Sequence, residues 1–124
     1  MNIKKLSKKL FLTTLMVLSI APGVLAMSYK EAKKQSKPVV VYVYMQQCGA
    51  CKGFSPIYEA ASSKFSTKFN FVKELMGGSE IAKKMNPSSV PSVYIVEPKK
   101  NVTKTIAYEC ASDKACFEQA LESY

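Results

Sequence analysis

Val39-Val40-Val41-Tyr42-Val43-Tyr44-Met45 is an unbroken apolar run rich in β-branched and aromatic residues. A short run without alternation predicts a strand buried on both faces, and therefore a sheet covered by helices. Gln46-Gln47 ends it. From Gly49 onward Phe54, Ile57, Tyr58, Ala61 and Phe65 recur at helical spacing, so the main helix follows directly. Pro56 lies inside that helix, where it removes the bond to the Lys52 carbonyl and predicts a kink rather than a stop.

The remaining elements follow from the same patterns. Ser28-Tyr29-Lys30-Glu31 fits a capping box and predicts a short, polar helix from about Tyr29 to Ser36, stopped before Lys37-Pro38. Phe69 to Leu75 reads as a second strand and Gly77-Gly78 as a turn; Ser79 and Glu80 then open a short helix carrying Ile81, Ala82 and Met85. Asn86-Pro87-Ser88-Ser89 is a loop. Ser92 to Val96 and Val102 to Tyr108 form an antiparallel hairpin across Pro98-Lys99-Lys100-Asn101. Ser112 can cap a last helix with Cys116, Phe117, Ala120, Leu121 and Tyr124 on its apolar face. The order α, β, α, β, α, β, β, α is that of a layered α/β fold.

The first 26 residues read separately from this domain. Lys4, Lys5, Lys8 and Lys9 form a basic region, Leu10 to Ile20 an apolar one, Pro22-Gly23 a break and Val24-Leu25-Ala26 a cleavage signature. The apolar stretch of 11 residues falls short of the roughly 20 that a spanning helix needs. The expected division is a signal peptide over 1–26 and one domain over 27–124, which places the mature protein, soluble, in an exported, periplasmic or other extracytoplasmic compartment.

Composition narrows the chemistry. The net charge of +9 includes the four lysines of that leader, leaving 14 Lys against 9 acidic residues, or +5. The lysines are scattered, and arginine is absent from the sequence, so a nucleic-acid partner lacks its usual basic footprint. Without histidine, Ser-His and Cys-His catalysis and histidine metal sites are excluded. Cysteine is left to carry the chemistry.

Cys48-Gly49-Ala50-Cys51 stands where the strand hands over to the helix. A thiolate is the nucleophile of disulfide exchange, and two cysteines three positions apart let Cys48 attack while Cys51 resolves. Unpaired N–H groups and the positive end of the helix dipole favour a negative sulfur at Cys48. The competing readings are an inert disulfide or part of a four-cysteine zinc site, and the strand-motif-helix context favours the redox dithiol over both. Cys110 and Cys116 flank the start of the last helix. They fit a structural disulfide first, and a second redox pair or free thiols after that.

Taken together, Cys48-Gly49-Ala50-Cys51-Lys52, Pro56 five residues after the second cysteine, and Val90-Pro91-Ser92 opening a hairpin strand resemble the thioredoxin family over nearly all of the chain beyond the leader. The resemblance implies a thioredoxin fold, a central mixed sheet of about four strands flanked by helices. It further implies that Pro91 is cis and faces the cysteine pair, with Val90 and Pro91 holding a substrate strand through the backbone. Gly49, Ala50 and Lys52 would shape the thiolate environment. Two positions depart from the family pattern: Gln47 replaces an aromatic residue, and Tyr42 replaces a buried acid. The departure leaves Glu59, Glu74 or water to take the Cys51 proton, and Tyr42 and Tyr44 read as core residues.

The function implied is an exported thiol-disulfide oxidoreductase acting on protein thiols or disulfides. Its direction leans to reductase because the Gly49-containing motif resembles thioredoxin more than the oxidases. The alternatives are a disulfide-donating oxidase, or a partner-binding accessory module in which the cysteines only staple the fold. A membrane or soluble redox partner would reset the pair. No cofactor, metal or nucleic acid is expected, and a monomer is the default.

Overall fold

The computed structural model describes residues 27–124; the leader expected over 1–26, and with it the expected domain boundary, lies outside the described residues. The elements are α1 (Tyr29–Ala32), β1 (Val39–Tyr44), α2 (Gly49–Lys64), β2 (Asn70–Leu75), α3 (Glu80–Met85), β3 (Ser92–Glu97), β4 (Val102–Ile106), a 3-10 helix (Tyr108–Ser112) and α4 (Lys114–Glu122). The four strands form one mixed sheet in the order β2-β1-β3-β4. β1 runs parallel to β2 and antiparallel to β3, and β3 forms the hairpin with β4.

β1 is a central strand, as its continuous apolar run predicts, and alternation divides it between two cores. Val40 and Tyr42 join Phe54, Tyr58, Ala61, Val93, Ile95, Phe117 and Leu121 on the face covered by α2 and α4. Val39, Val41 and Val43 join Ala32, Val72, Ile81, Ala82, Tyr94 and Val96 on the face covered by α1 and α3. β4 is an edge whose first four residues are exposed, and its threonines and Lys104 keep that edge polar.

Three boundaries differ from the sequence reading. α1 ends at Ala32 rather than Ser36. Beyond Ala32 the chain offers mostly lysines and nothing apolar to bury, so a single turn is all that packing supports. β4 ends at Ile106, the last residue of that strand with a buried side chain, and residues 108–112 turn into the 3-10 helix instead of extending it. The cap of α4 is Asp113 and not Ser112: the Cys116 N–H donates to Asp113 Oδ1 at 3.1 Å, while Ser112 Oγ donates backward to the Glu109 carbonyl. A carboxylate at a helix N-terminus gains from the dipole as well as the hydrogen bond, which favours the aspartate over the serine beside it.

Two tyrosines tie α2 to the sheet. Tyr58 on α2 is buried and donates its hydroxyl between two strand carbonyls, Val72 at 2.6 Å and Val40 at 3.0 Å. In the reverse direction, Tyr42 on β1 donates to the carbonyl of Cys51 in α2 at 3.0 Å. Replacing Tyr58 by phenylalanine should lower the urea-unfolding free energy of the oxidised protein by roughly 1 kcal/mol, the usual net worth of a buried hydrogen bond. An unchanged unfolding midpoint would show that the hydroxyl does not tie the layers.

Candidate active site

Cys48 is the N-cap of α2, and its sulfur takes the place of the capping oxygen. The backbone there is extended (φ −117°, ψ 111°), and the Cys51 N–H donates to Cys48 Sγ at 3.0 Å. One of the orphan donors of the first turn is thus aimed at the sulfur that would carry negative charge. Cys48 is partly exposed, whereas Cys51 is only 3% exposed and packs into the α2 side of the core. The two are joined as a disulfide with Cα atoms 5.1 Å apart.

The mouth around Cys48 is open. Gln47, Gly49, Ala50 and Lys52 are all exposed, and a Cβ added at Gly49 would meet nothing within 4 Å. Across from the sulfur stands the loop before β3. The Val90-Pro91 peptide is cis, as the family resemblance implies, and the Val90 carbonyl oxygen lies 3.9 Å from Cys48 Sγ. The Pro91 ring itself is buried, so what the loop offers the sulfur is backbone. Beside Pro91 opens a cleft of about 210 Å3 lined by Phe54, Ser89, Ile106, Tyr108 and Phe117 among others. Tyr108 is 54% exposed at this cleft and gives it an aromatic rim.

Cys110, in the 3-10 helix, is disulfide-bonded to Cys116 in the first turn of α4, with Cα atoms 5.0 Å apart. Cys110 is buried in the same core as Cys51, and Cys116 packs against that core from the side. This bond closes the junction between the 3-10 helix and α4, whose Phe117 and Leu121 are both fully buried.

Neither carboxylate named for the Cys51 proton stands where that role needs it. Glu74 follows Val72 by two positions and so shares its sheet face, opposite Cys51, where its Oε1 accepts the Tyr29 N–H at 3.0 Å. Glu59 is exposed on α2. In their place the structure puts hydroxyls: Tyr42 OH and Ser55 Oγ both donate to the Cys51 carbonyl, at 3.0 and 2.9 Å, and lie 3.4 Å from one another. Tyr42 does belong to the core, as its apolar neighbours predict, but its polar end sits under the cysteine pair. Ser55 was not singled out by the sequence. Its spacing of four after Cys51 is the available signal, since serine there can bond back to the i−4 carbonyl. Burial pushes the Tyr42 phenol above its usual range, although the hydrogen bond with Ser55 opposes the shift. Tyr42 therefore stays neutral. Tyr44, its neighbour on the same face, is half-buried beneath the Lys73 amine, which lies 4.7 Å from its ring centre.

A mixed sheet in this order, with a helix capped by the first cysteine of a Cys-x-x-Cys pair and a cis-proline loop opposite, defines the thioredoxin fold. The thioredoxin family model matches residues 24–123, and the chain belongs to that family. It is 31% identical to thioredoxin 1 of Plasmodium falciparum over 91 residues, 73% of this chain and 83% of that protein. It is 27% identical over 95 residues to the TPR repeat-containing thioredoxin TDX of Arabidopsis thaliana, covering 77% of this chain and only 24% of that much longer protein. Among solved structures, the Malassezia sympodialis thioredoxin Mala s 13 superposes with a TM-score of 0.63 at 22% identity, over 77% of this chain and 87% of the other, a likeness of fold. Family and dithiol together make the chain a thiol-disulfide oxidoreductase of the thioredoxin type.

In the fully reduced protein, Cys48 should react with iodoacetamide at pH values well below an ordinary thiol while Cys51 stays protected, as read by peptide mass. Equal rates would mean that the helix terminus does not activate Cys48. Replacing Cys110 and Cys116 together by alanine should cost roughly 2 kcal/mol of stability, the loop-closure value for so short a ring, and leave dithiol turnover intact. Loss of turnover in a folded double variant would instead make that pair a relay.

Proposed function

We propose that this protein is an exported enzyme that reduces disulfides in other proteins through Cys48 and Cys51. The observation that carries the reading is the seat of the Cys48 sulfur, which receives the Cys51 N–H on one side and faces the Val90 carbonyl on the other. A partly exposed sulfur in that seat can be approached by a foreign disulfide, and an extended segment lying beside Val90 and Pro91 can bond to their backbone.

In the reductive direction the Cys48 thiolate attacks one sulfur of the substrate disulfide. A Cys48-substrate bond forms, the substrate bond breaks, and the departing thiolate takes a proton. Cys51, as thiolate, then attacks Cys48 Sγ and releases the second substrate sulfur. The substrate gains two electrons and the enzyme is left with the Cys48-Cys51 disulfide, the form the structure holds. A dithiol donor, membrane-bound or soluble, must return those two electrons before another cycle. Gly49 and Ala50, exposed and small, leave the sulfur unobstructed, and Lys52 adds positive charge one residue beyond the pair.

The exported assignment rests on the basic, apolar and small-residue succession of residues 1–26, with 27–124 as the working domain. The reductive direction is supported by the thioredoxin names of the relatives and by the Gly49-containing motif. Cys48→Ser should fold normally and lose insulin-disulfide reduction, and turnover in that variant would overturn the reading. The reduction potential of the pair in glutathione buffers should lie nearer about −270 mV than about −120 mV, and a value at the oxidising end would make the protein a disulfide donor instead.

A further inference from the structure

The exchange steps leave unused the hydroxyl cluster beneath Cys51. We propose that Tyr42 and Ser55 are positioning residues that clamp the Cys51 carbonyl and thereby hold the Cys51 N–H on the Cys48 sulfur, fixing the pH range in which Cys48 acts as a nucleophile. The proposal rests on the dithiol reading of the preceding subsection.

Cys51 is gripped at both ends. Its carbonyl takes the Tyr42 hydroxyl at 3.0 Å and the Ser55 hydroxyl at 2.9 Å, and its N–H reaches Cys48 Sγ at 3.0 Å. A serine bonding back to the i−4 carbonyl is commonplace in helices and by itself says nothing. Tyr42 is different, because it comes from β1, nine residues before the cysteine it holds. Its ring cannot move aside: the centroids of Phe54, Tyr58 and Tyr44 lie 5.0, 4.9 and 5.9 Å away, and the side chain has no exposed surface. The hydroxyl is therefore delivered to one place.

A helix N-terminus frays unless something holds its first turn, and here the sheet holds it. Freed from Tyr42, the first turn would sample positions in which the Cys51 N–H leaves the sulfur, and the thiolate would lose a charge-assisted hydrogen bond. The clamp is uncharged. The ionisable groups around Tyr42 are Tyr44 on its own strand, Cys51 and Tyr58 on α2, and Lys73 on β2, whose amine lies 5.6 Å from the Tyr42 ring centre. Around Cys48 stand Cys51, the exposed Lys52 beyond it, and the uncharged Val90-Pro91 backbone.

Tyr42→Phe keeps the ring and removes the clamp. In the full-length reduced protein, the pH of half-maximal Cys48 alkylation should rise by about half a unit, or about threefold slower modification at a fixed pH below that midpoint. Ser55→Ala should move it the same way by less, and Ser55→Thr, which keeps a hydroxyl, should follow the wild type. The double variant should move less than the sum of the two, because both act on one carbonyl. A Tyr42→Phe profile coinciding with wild type would overturn the proposal even if its thermal midpoint fell, since a purely structural hydroxyl predicts that pattern. Should Tyr42→Phe not fold, a shift in Ser55→Ala with none in Ser55→Thr supports the clamp, and identical serine profiles refute it. Failure of the wild type to reduce insulin would sink the oxidoreductase reading, whereas the alkylation profiles report on the clamp directly.

Discussion

The contact between α2 and β1 is the one on which the rest depends. It is an aromatic interface that must also satisfy two phenolic hydroxyls away from water, and a buried hydroxyl without a partner costs about 1–3 kcal/mol. Each is satisfied by the other element. Tyr58 reaches from the helix to carbonyls of β1 and β2, and Tyr42 reaches from β1 to a carbonyl of the helix. A purely apolar interface would tolerate some sliding of the helix over the sheet. Directional bonds running both ways set the helix along its axis as well as its distance, and with it the position of the helix N-terminus where Cys48 sits. Among the described residues, no buried side-chain nitrogen or oxygen is left without a partner.

The site inherits its order from that contact. Cys48 lies just past β1, and the loop bearing Val90 runs into β3, which pairs with β1 directly. Neighbouring strands therefore bring the two halves together, although 42 residues separate Cys48 from Val90 in the chain. α4 covers the far end of the same core with Phe117, whose ring meets Phe54 edge-on at 5.1 Å. The Cys110-Cys116 bond joins the 3-10 helix to the first turn of α4 at the edge of that same core.

Much of this was legible because two periodicities were strong. The run from Val39 marks the central strand, Phe54 to Phe65 marks the main helix, and the Cys-x-x-Cys pair between them locates the chemistry. What sequence missed was decided by tertiary contacts. Tyr42 in an apolar run reads as filler, and nothing local shows that its hydroxyl meets a carbonyl nine residues on. Glu74 was a plausible proton acceptor by type, yet strand alternation turns it to the other face. Asp113 took the cap from Ser112 because the 3-10 turn uses up residues through 112 before α4 can begin. The stop of β4 at Ile106 was hidden because the exposed residues of an edge strand carry little hydrophobic signal.

The neutral cluster under Cys51 changes how the second half of exchange must run. Cys51 has to lose its proton to attack Cys48, and burial in an apolar core opposes the charged form. A carboxylate beside it could take that proton, but Glu74 is across the sheet and Glu59 is exposed to solvent. Tyr42 is held neutral by its burial and donates its own proton to a carbonyl. Of the acceptors that the sequence offered, neither carboxylate stands beside Cys51, and water alone is left. What the fold contributes around Cys51 is geometry: two hydroxyls, one from the strand and one from the helix, hold its carbonyl, and no carboxylate of the two that the sequence offered lies beside it.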